Sequence, residues 1–243
     1  MFPNSYDTIK SRIGSKVLPL LPMNRRTFDI LRHELNAVRT RITNTVNPFY
    51  HLRVRRLRLR QDLSLNLGSG GKGQSGWINI ELIKHRDTTL CLDIRRPLPF
   101  ADNSVIRILA EHVVEHIDFR HDLPIALSDW HRVLRPGGIV RIVAPDARRF
   151  LEAYVSGDST LWRSLGWYPL PDDIYSPMHA INHIFHQSGE HLFAYDFETL
   201  AIALNRVGFK KIEEMSFRKS HDQELAIDQA NHAPHSLYVE AIK

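Results

Sequence analysis

Five short runs hold the residues able to do chemistry. Leu65-Asn-Leu-Gly-Ser-Gly70 ends an alternating apolar stretch in glycines, which suits a strand turning sharply beneath a nucleotide-like cofactor. Glu81 and Asp93 each close an apolar run. Each thus offers a strand-end carboxylate, a strong acceptor for paired donors. Glu111-His-Val-Val-Glu-His116 adds two carboxylates and two imidazoles, and His112 and His116 share a face if the segment is helical. An imidazole with a pKa near ~6.5 is suited to proton transfer.

The last run, Pro177 to His191, carries His179, His183, His186 and His191. His179 and His183 have the i, i+4 spacing that shares a cation on a helix. No cysteine and one carboxylate, Glu190, accompany them, so no metal is expected. The run reads as part of a substrate-facing lid over residues 156–195, with structural hydrogen bonding as the alternative. Trp162, Trp167, Tyr168 and Tyr175 add flat faces that stack on a sugar or serve as core.

Gly68-x-Gly70-x-x-Gly73 matches a dinucleotide fingerprint by spacing. That fingerprint needs a following helix and an acid about 20 residues on, whereas Glu81 follows Gly68 by 13. About eight residues separate the two strands, room for one helical turn at most. A pyrophosphate resting on a full helix N-terminus is disfavoured, and a cofactor without phosphates fits better.

Around these runs the alternation predicts strands near 63–68, 77–81, 89–93, 105–110, 138–144, 209–217 and 236–242, with helices near 122–135, 147–156 and 196–207. Gly137 and Gly208 are placed as glycine caps of the first and last helices. Asn24 is the expected N-cap of an earlier helix with an apolar seam, Phe28, Leu31, Leu35, Val38 and Ile42, expected to pack on its own domain and to end at Pro48. The chain divides into a basic helical extension, 1–62, and a domain, 63–243. Residues 1–22 lack periodicity.

The net charge of +5 is uneven: residues 1–62 hold 13 Lys/Arg and 4 Asp/Glu, the remainder 19 and 23. Arg53 to Arg60 carries five arginines in eight residues, a match for anionic lipid headgroups or a phosphorylated partner, or simply a solvated face. It lacks the interleaved aromatics of single-strand nucleic-acid platforms, so no nucleic acid is expected. A homodimer through the apolar seam is the other partner considered. No apolar run nears the ~20 residues of a membrane span. The single cysteine, Cys91, reads as core and points to a cytoplasmic, possible membrane-peripheral setting.

Leu65–Gly70, Gly76-Trp-Ile-Asn-Ile-Glu81, Asp93–Ser104, Ala110–His116 and His131-Arg-Val-Leu-Arg-Pro-Gly-Gly138, in that order, resemble class I S-adenosylmethionine-dependent methyltransferases. They look most like a bacterial branch of small predicted methyltransferases, many encoded near polysaccharide-synthesis genes. The resemblance spans residues 63–217. It implies an α/β, Rossmann-like doubly wound sheet of seven strands, mostly parallel with one antiparallel, and S-adenosylmethionine as cofactor.

It also implies cofactor contacts at Asn66, Gly68, Ser69, Gly70, Glu81, Asp93, Ile94 and Glu111. Glu81 would take the ribose hydroxyls, Asp93 the adenine amino group, and Ile94 the ring. Asn66 departs from the acid usual in the family, and Lys72 is a candidate point charge for the methionine carboxylate. Catalytic candidates are His112, the preferred base, His116 and His183. The expected acceptor is small or glycan-linked, with O-methylation favoured. Two alternatives stand beside it: a non-catalytic binding protein retaining the fold, and an NAD-dependent oxidoreductase supported by glycine spacing alone.

Overall fold

The computed structural model describes residues 24–166 and 176–243. Seven strands form one sheet: β1 (Leu63–Leu67), β2 (Ile78–Glu81), β3 (Leu90–Cys91), β4 (Val105–Glu111), β5 (Leu134–Pro145), β6 (Lys210–Met215) and β7 (Ser236–Ile242). Their order is β3-β2-β1-β4-β5-β7-β6, and β7 alone runs antiparallel to its neighbours. All seven expected strands are present. Order reverses at β1, whose neighbours are β2 and β4, so a crevice opens at the carboxyl ends of these strands. Strand residues such as Leu65, Leu67, Ile80 and Ile108 are fully or nearly fully buried, as expected where both sheet faces are covered.

Helices α1 (Arg25–Val46) and α2 (Pro48–Arg58) precede the sheet; α3 (Leu123–Val133), α4 (Ala147–Ser156), α5 (Thr160–Ser164), α6 (Pro177–His186) and α7 (Phe197–Arg206) follow within it. Asn24 caps α1 by accepting from Thr27 N–H at 2.9 Å. α1 ends at Val46, just before Pro48 as expected, and Pro48 then opens α2 at the position where its missing N–H costs nothing. Asn47 stands between, capping α2 through Phe49 and Tyr50. The arginine run therefore begins on a helix, and Leu57 reaches the main core.

The α1 seam also departs from expectation. Leu31, Leu35, Val38 and Ile42 are 44–59% exposed, while Ala37 is fully buried. The inward face is instead polar: Thr40 donates to Leu82 O, Asn44 to Cys91 O, and Arg41 to Asp93. Hydrogen bonds to the ends of β2 and β3, not apolar burial, orient this helix. Cys91 is half-buried on the edge strand rather than core.

Gly208 caps α7 as expected. Phe209 N–H donates to Leu204 O and Gly208 N–H to Asn205 O, the paired bonds of a Schellman ending. Gly137 does not cap α3. The helix stops at an extended Leu134 and runs directly into β5, while Gly137, at φ +77°, donates its N–H to Lys243 O. Within the expected irregular lid, the described residues include α5 and α6, which pack Trp162 and Ile181 against Phe150 in a second small core. Trp162 is therefore core; Trp167, Tyr168, Tyr175 and residues 1–22 lie outside the described residues.

Candidate active site

A cleft of about 270 Å³ lies at the strand ends, lined by Gly68, Glu81, Asp93, Ile94, His112 and His116 together with His33 of α1. Six of the expected site residues thus meet in one place. The turn after β1 contains no helix, as the short spacing required. Gly68 there has φ +64°, and a Cβ on it would lie 2.4 Å from Val113 Cγ2. Only glycine satisfies both constraints. Gly70, at φ +55°, donates its N–H to Glu81 Oε2 at 2.9 Å.

Glu81 Oε1 accepts from Leu82 N–H at 2.7 Å. With about four acceptor positions on a carboxylate, each oxygen keeps one for a further donor. That pattern suits two adjacent hydroxyls. Asp93 differs. Its Oδ1 accepts from Arg95 N–H at 3.1 Å and Arg95 Nε at 2.9 Å; its Oδ2 accepts from Arg95 Nη2 at 3.1 Å and from Arg41 Nε at 3.1 Å and Nη2. Arg95 also forks onto Glu34 of α1. Burial would raise the Asp93 carboxyl, but the two guanidiniums, Arg95 foremost, outweigh it and hold it at about 2. Its acceptor positions are filled, and the role implied for it at an adenine amino group requires Arg41 or Arg95 to give way.

Asn66, Ser69 and Glu111 do not face this cleft as Glu81 does; they line a narrower pocket with Lys72 and Gln229, which Gly68 adjoins from the other side. Asn66 donates to Asn79 Oδ1 at 3.3 Å, and Asn79 in turn accepts from Gln74 N–H, so the amide pair fixes the glycine turn. Glu111 accepts from Gln229 N–H, from Gln229 Nε2 and from His232 Nδ1 at 2.9 Å. Its carboxylate is committed to the loop before β7. Lys72 reaches Gln229.

His112 sits at φ +53°, uncommon for a residue with a Cβ. Its N–H donates to Val143 O, its Nδ1 lies 3.2 Å from Glu115 Oε1, and its Nε2 lies 2.9 Å from Ser236 Oγ. A carboxylate only accepts, so the ring proton belongs on Nδ1 and Nε2 accepts from the serine hydroxyl. Both nitrogens therefore have buried partners, and the ring stacks on His232 at 3.8 Å between centroids. The preferred base of the sequence reading is thus held away from an acceptor. His116, partly exposed, donates Nδ1–H to Glu190 O at 3.0 Å, which leaves Nε2 with its lone pair. His183 stands on α6 and does not line the cleft. His191, not singled out by sequence, is the member of that histidine run that reaches Glu115 and His116.

Residues 78–142 match the family described as "Methyltransferase domain". No curated protein sequence is significantly similar to the chain. Among solved structures, an S-adenosylmethionine-dependent methyltransferase from Archaeoglobus fulgidus is 15% identical, with 87% of this chain and 94% of that one covered and a TM-score of 0.46. A 1,6-didemethyltoxoflavin N1-methyltransferase from Burkholderia thailandensis is 12% identical, with 92% and 91% covered and a TM-score of 0.47. Likeness at that level does not extend to an acceptor. The methyltransferase-domain match over residues 78–142, the sheet with its one antiparallel strand, and the strand-end glycines and acids agree with the resemblance of the sequence to class I S-adenosylmethionine-dependent methyltransferases.

Proposed function

We propose that the chain methylates a hydroxyl of a small or glycan-linked acceptor bound at the His116 end of the cleft. The observation that carries this reading is the Nε2 lone pair of His116, left available by the Glu190 carbonyl beside the strand-end crevice. A hydroxyl has to lose its proton as it attacks, which a neighbouring base provides, whereas a neutral amine already carries a free nucleophilic pair. The glycan-linked part of the reading comes from the sequence resemblance.

The cosubstrate, when bound, supplies a methyl group already activated on a sulfonium. Gly68 lets backbone approach it, Glu81 holds the ribose hydroxyls, and Ile94 packs on the adenine. Orientation is the main task, since a nucleophile aligned ~3–3.5 Å from its target gains several kcal/mol from proximity alone. His112 shapes the cleft wall and is a positioning residue, held by Ser236 with Glu115 beside its other ring nitrogen.

The exposed row Leu31, Leu35, Val38 and Ile42 on α1, next to the arginines of α2, supports peripheral contact with an anionic membrane surface. Sedimentation with phosphatidylglycerol vesicles tests it, and concentration-dependent dimerisation without vesicle binding would favour a second copy of the chain instead.

The functional test has two parts. S-adenosylhomocysteine should bind in calorimetry, weakened at least tenfold by Glu81→Ala. Labelled S-adenosylmethionine offered with hydroxyl, amine and thiol acceptors should yield product with a hydroxyl class, reduced in His116→Ala. Binding without turnover on any class would support a non-catalytic role.

A further inference from the structure

Glu115 is the anomaly of this site. The residue is 1% exposed, Oε1 lies 3.2 Å from His112 Nδ1, and among the described residues neither carboxylate oxygen has an aligned hydrogen bond. A buried carboxylate costs several kcal/mol unless something compensates it, and native structures hold few such groups without a reason.

Two imidazoles stand next to it. One ligand-capable atom from each of Glu115, His116 and His191 lies within 4.8 Å of the others. His191 is buried and donates Nδ1–H to Ile184 O at 2.6 Å, as His116 does to Glu190 O. A carbonyl only accepts, so both rings are fixed as Nδ1–H tautomers whose Nε2 carries the lone pair. Imidazoles that ligate metals are held this way, their second nitrogen bonded to a carbonyl or carboxylate. Backbone bonds keep the trio together: Leu192 and Phe193 N–H both donate to Glu115 O.

We propose that Glu115, His116 and His191 bind one divalent first-row transition-metal ion, of the zinc type, with a position left open towards the cleft that His116 lines. Two imidazoles and one carboxylate with a vacant position are the ligand set of catalytic rather than structural sites. The sequence reading expected no metal because it counted ligands within the Pro177–His191 run; the carboxylate comes from the turn after β4. Resting on the hydroxyl reading above, the ion would bind the acceptor oxygen and lower its pKa. The O–H proton leaves to solvent, the oxygen pair forms the O–CH₃ bond, and the C–S pair returns to sulfur as S-adenosylhomocysteine. His116 then acts as ligand rather than as proton acceptor.

The test uses chelator-treated full-length protein titrated with Co²⁺ and Zn²⁺. One ion per chain is expected, Co²⁺ giving visible d–d bands that Zn²⁺ abolishes. His191→Ala and Glu115→Gln should weaken binding at least tenfold, and His183→Ala should leave it unchanged. Should the buried variants fail to fold by circular dichroism, the partly exposed His116→Ala carries the same expectation. Absence of stoichiometric binding, or loss in His183→Ala with retention in His116→Ala, overturns the site. Calorimetry with S-adenosylhomocysteine separates the two readings: ion binding that persists where the homocysteine does not bind sinks the methyl-transfer role and leaves the metal site standing.

Discussion

Arg41 of α1 donates to the carboxylate of Asp93, the acid that follows β3 and lines the strand-end cleft. The helix preceding the sheet thus occupies the acceptor that the family resemblance gives to adenine. The cleft of about 270 Å³ is correspondingly small against the ~300–1,000 Å³ common for ligand sites.

Removing the competing donor should therefore help binding. Arg41→Ala is expected to tighten S-adenosylhomocysteine three- to tenfold in calorimetry, since Arg95 still keeps Asp93 ionised; about 1.4 kcal/mol corresponds to tenfold. Weaker binding in the variant would mean instead that α1 closes over the bound cofactor.

The strands were legible because alternation and apolar runs report burial directly, and the acids at their ends came with them. What sequence concealed was direction. Asn66 and Glu111 are at strand ends like Glu81, yet their side chains serve Asn79 and the Gln229–His232 loop. Which way a strand-end side chain turns depends on partners outside its own strand, 13 residues on for Asn66 and 121 for Glu111–His232. The α1 seam misled for a related reason: its apolar residues have the spacing of a packing face, but Arg41, Thr40 and Asn44 find hydrogen-bond partners on the sheet, and those bonds rotate the seam outward. His191 carried a signal, four histidines in one run, though nothing local distinguished it from His183.

Gly68 makes a sharp prediction about the cofactor turn. Its φ of +64° and the 2.4 Å approach of a Cβ to Val113 Cγ2 leave alanine no relaxed arrangement. Gly68→Ala should abolish measurable S-adenosylhomocysteine binding and lower stability by about 1–3 kcal/mol, the range for a strained backbone position. Adding Val113→Ala should recover stability in part but not fully, because the left-handed φ remains. Full recovery in urea unfolding would show that the clash alone mattered.

Arg141 is buried on β5 with a forked pair of bonds to Asp228 at 2.7 and 2.6 Å and a third to Glu240 at 2.8 Å. All three side chains are fully buried. Arg141→Ala leaves two carboxylates without their cation, an outcome that costs ~3–5 kcal/mol for buried pairs. Because Asp228 immediately precedes the loop that holds Glu111, hydrogen exchange at Gln229–His232 should rise before that of the central strands. Unchanged stability would sink this assignment.

His235 contributes to the acid side of stability. Burial first, then the neighbouring His112 and His232, push its pKa down to about 4, and its Nδ1 is buried without a hydrogen bond among the described residues. The folded state therefore keeps His235 neutral where the unfolded chain, near 6.5, takes up a proton. Its contribution is fully present above pH 6.5 and is lost as pH falls towards 4, amounting to about 2 kcal/mol by pH 5. Urea unfolding at pH 7 and pH 5 should show the wild-type protein losing stability over that interval and His235→Gln losing about 2 kcal/mol less, whatever its stability at pH 7. An equal loss in both proteins would place the acid sensitivity in another group.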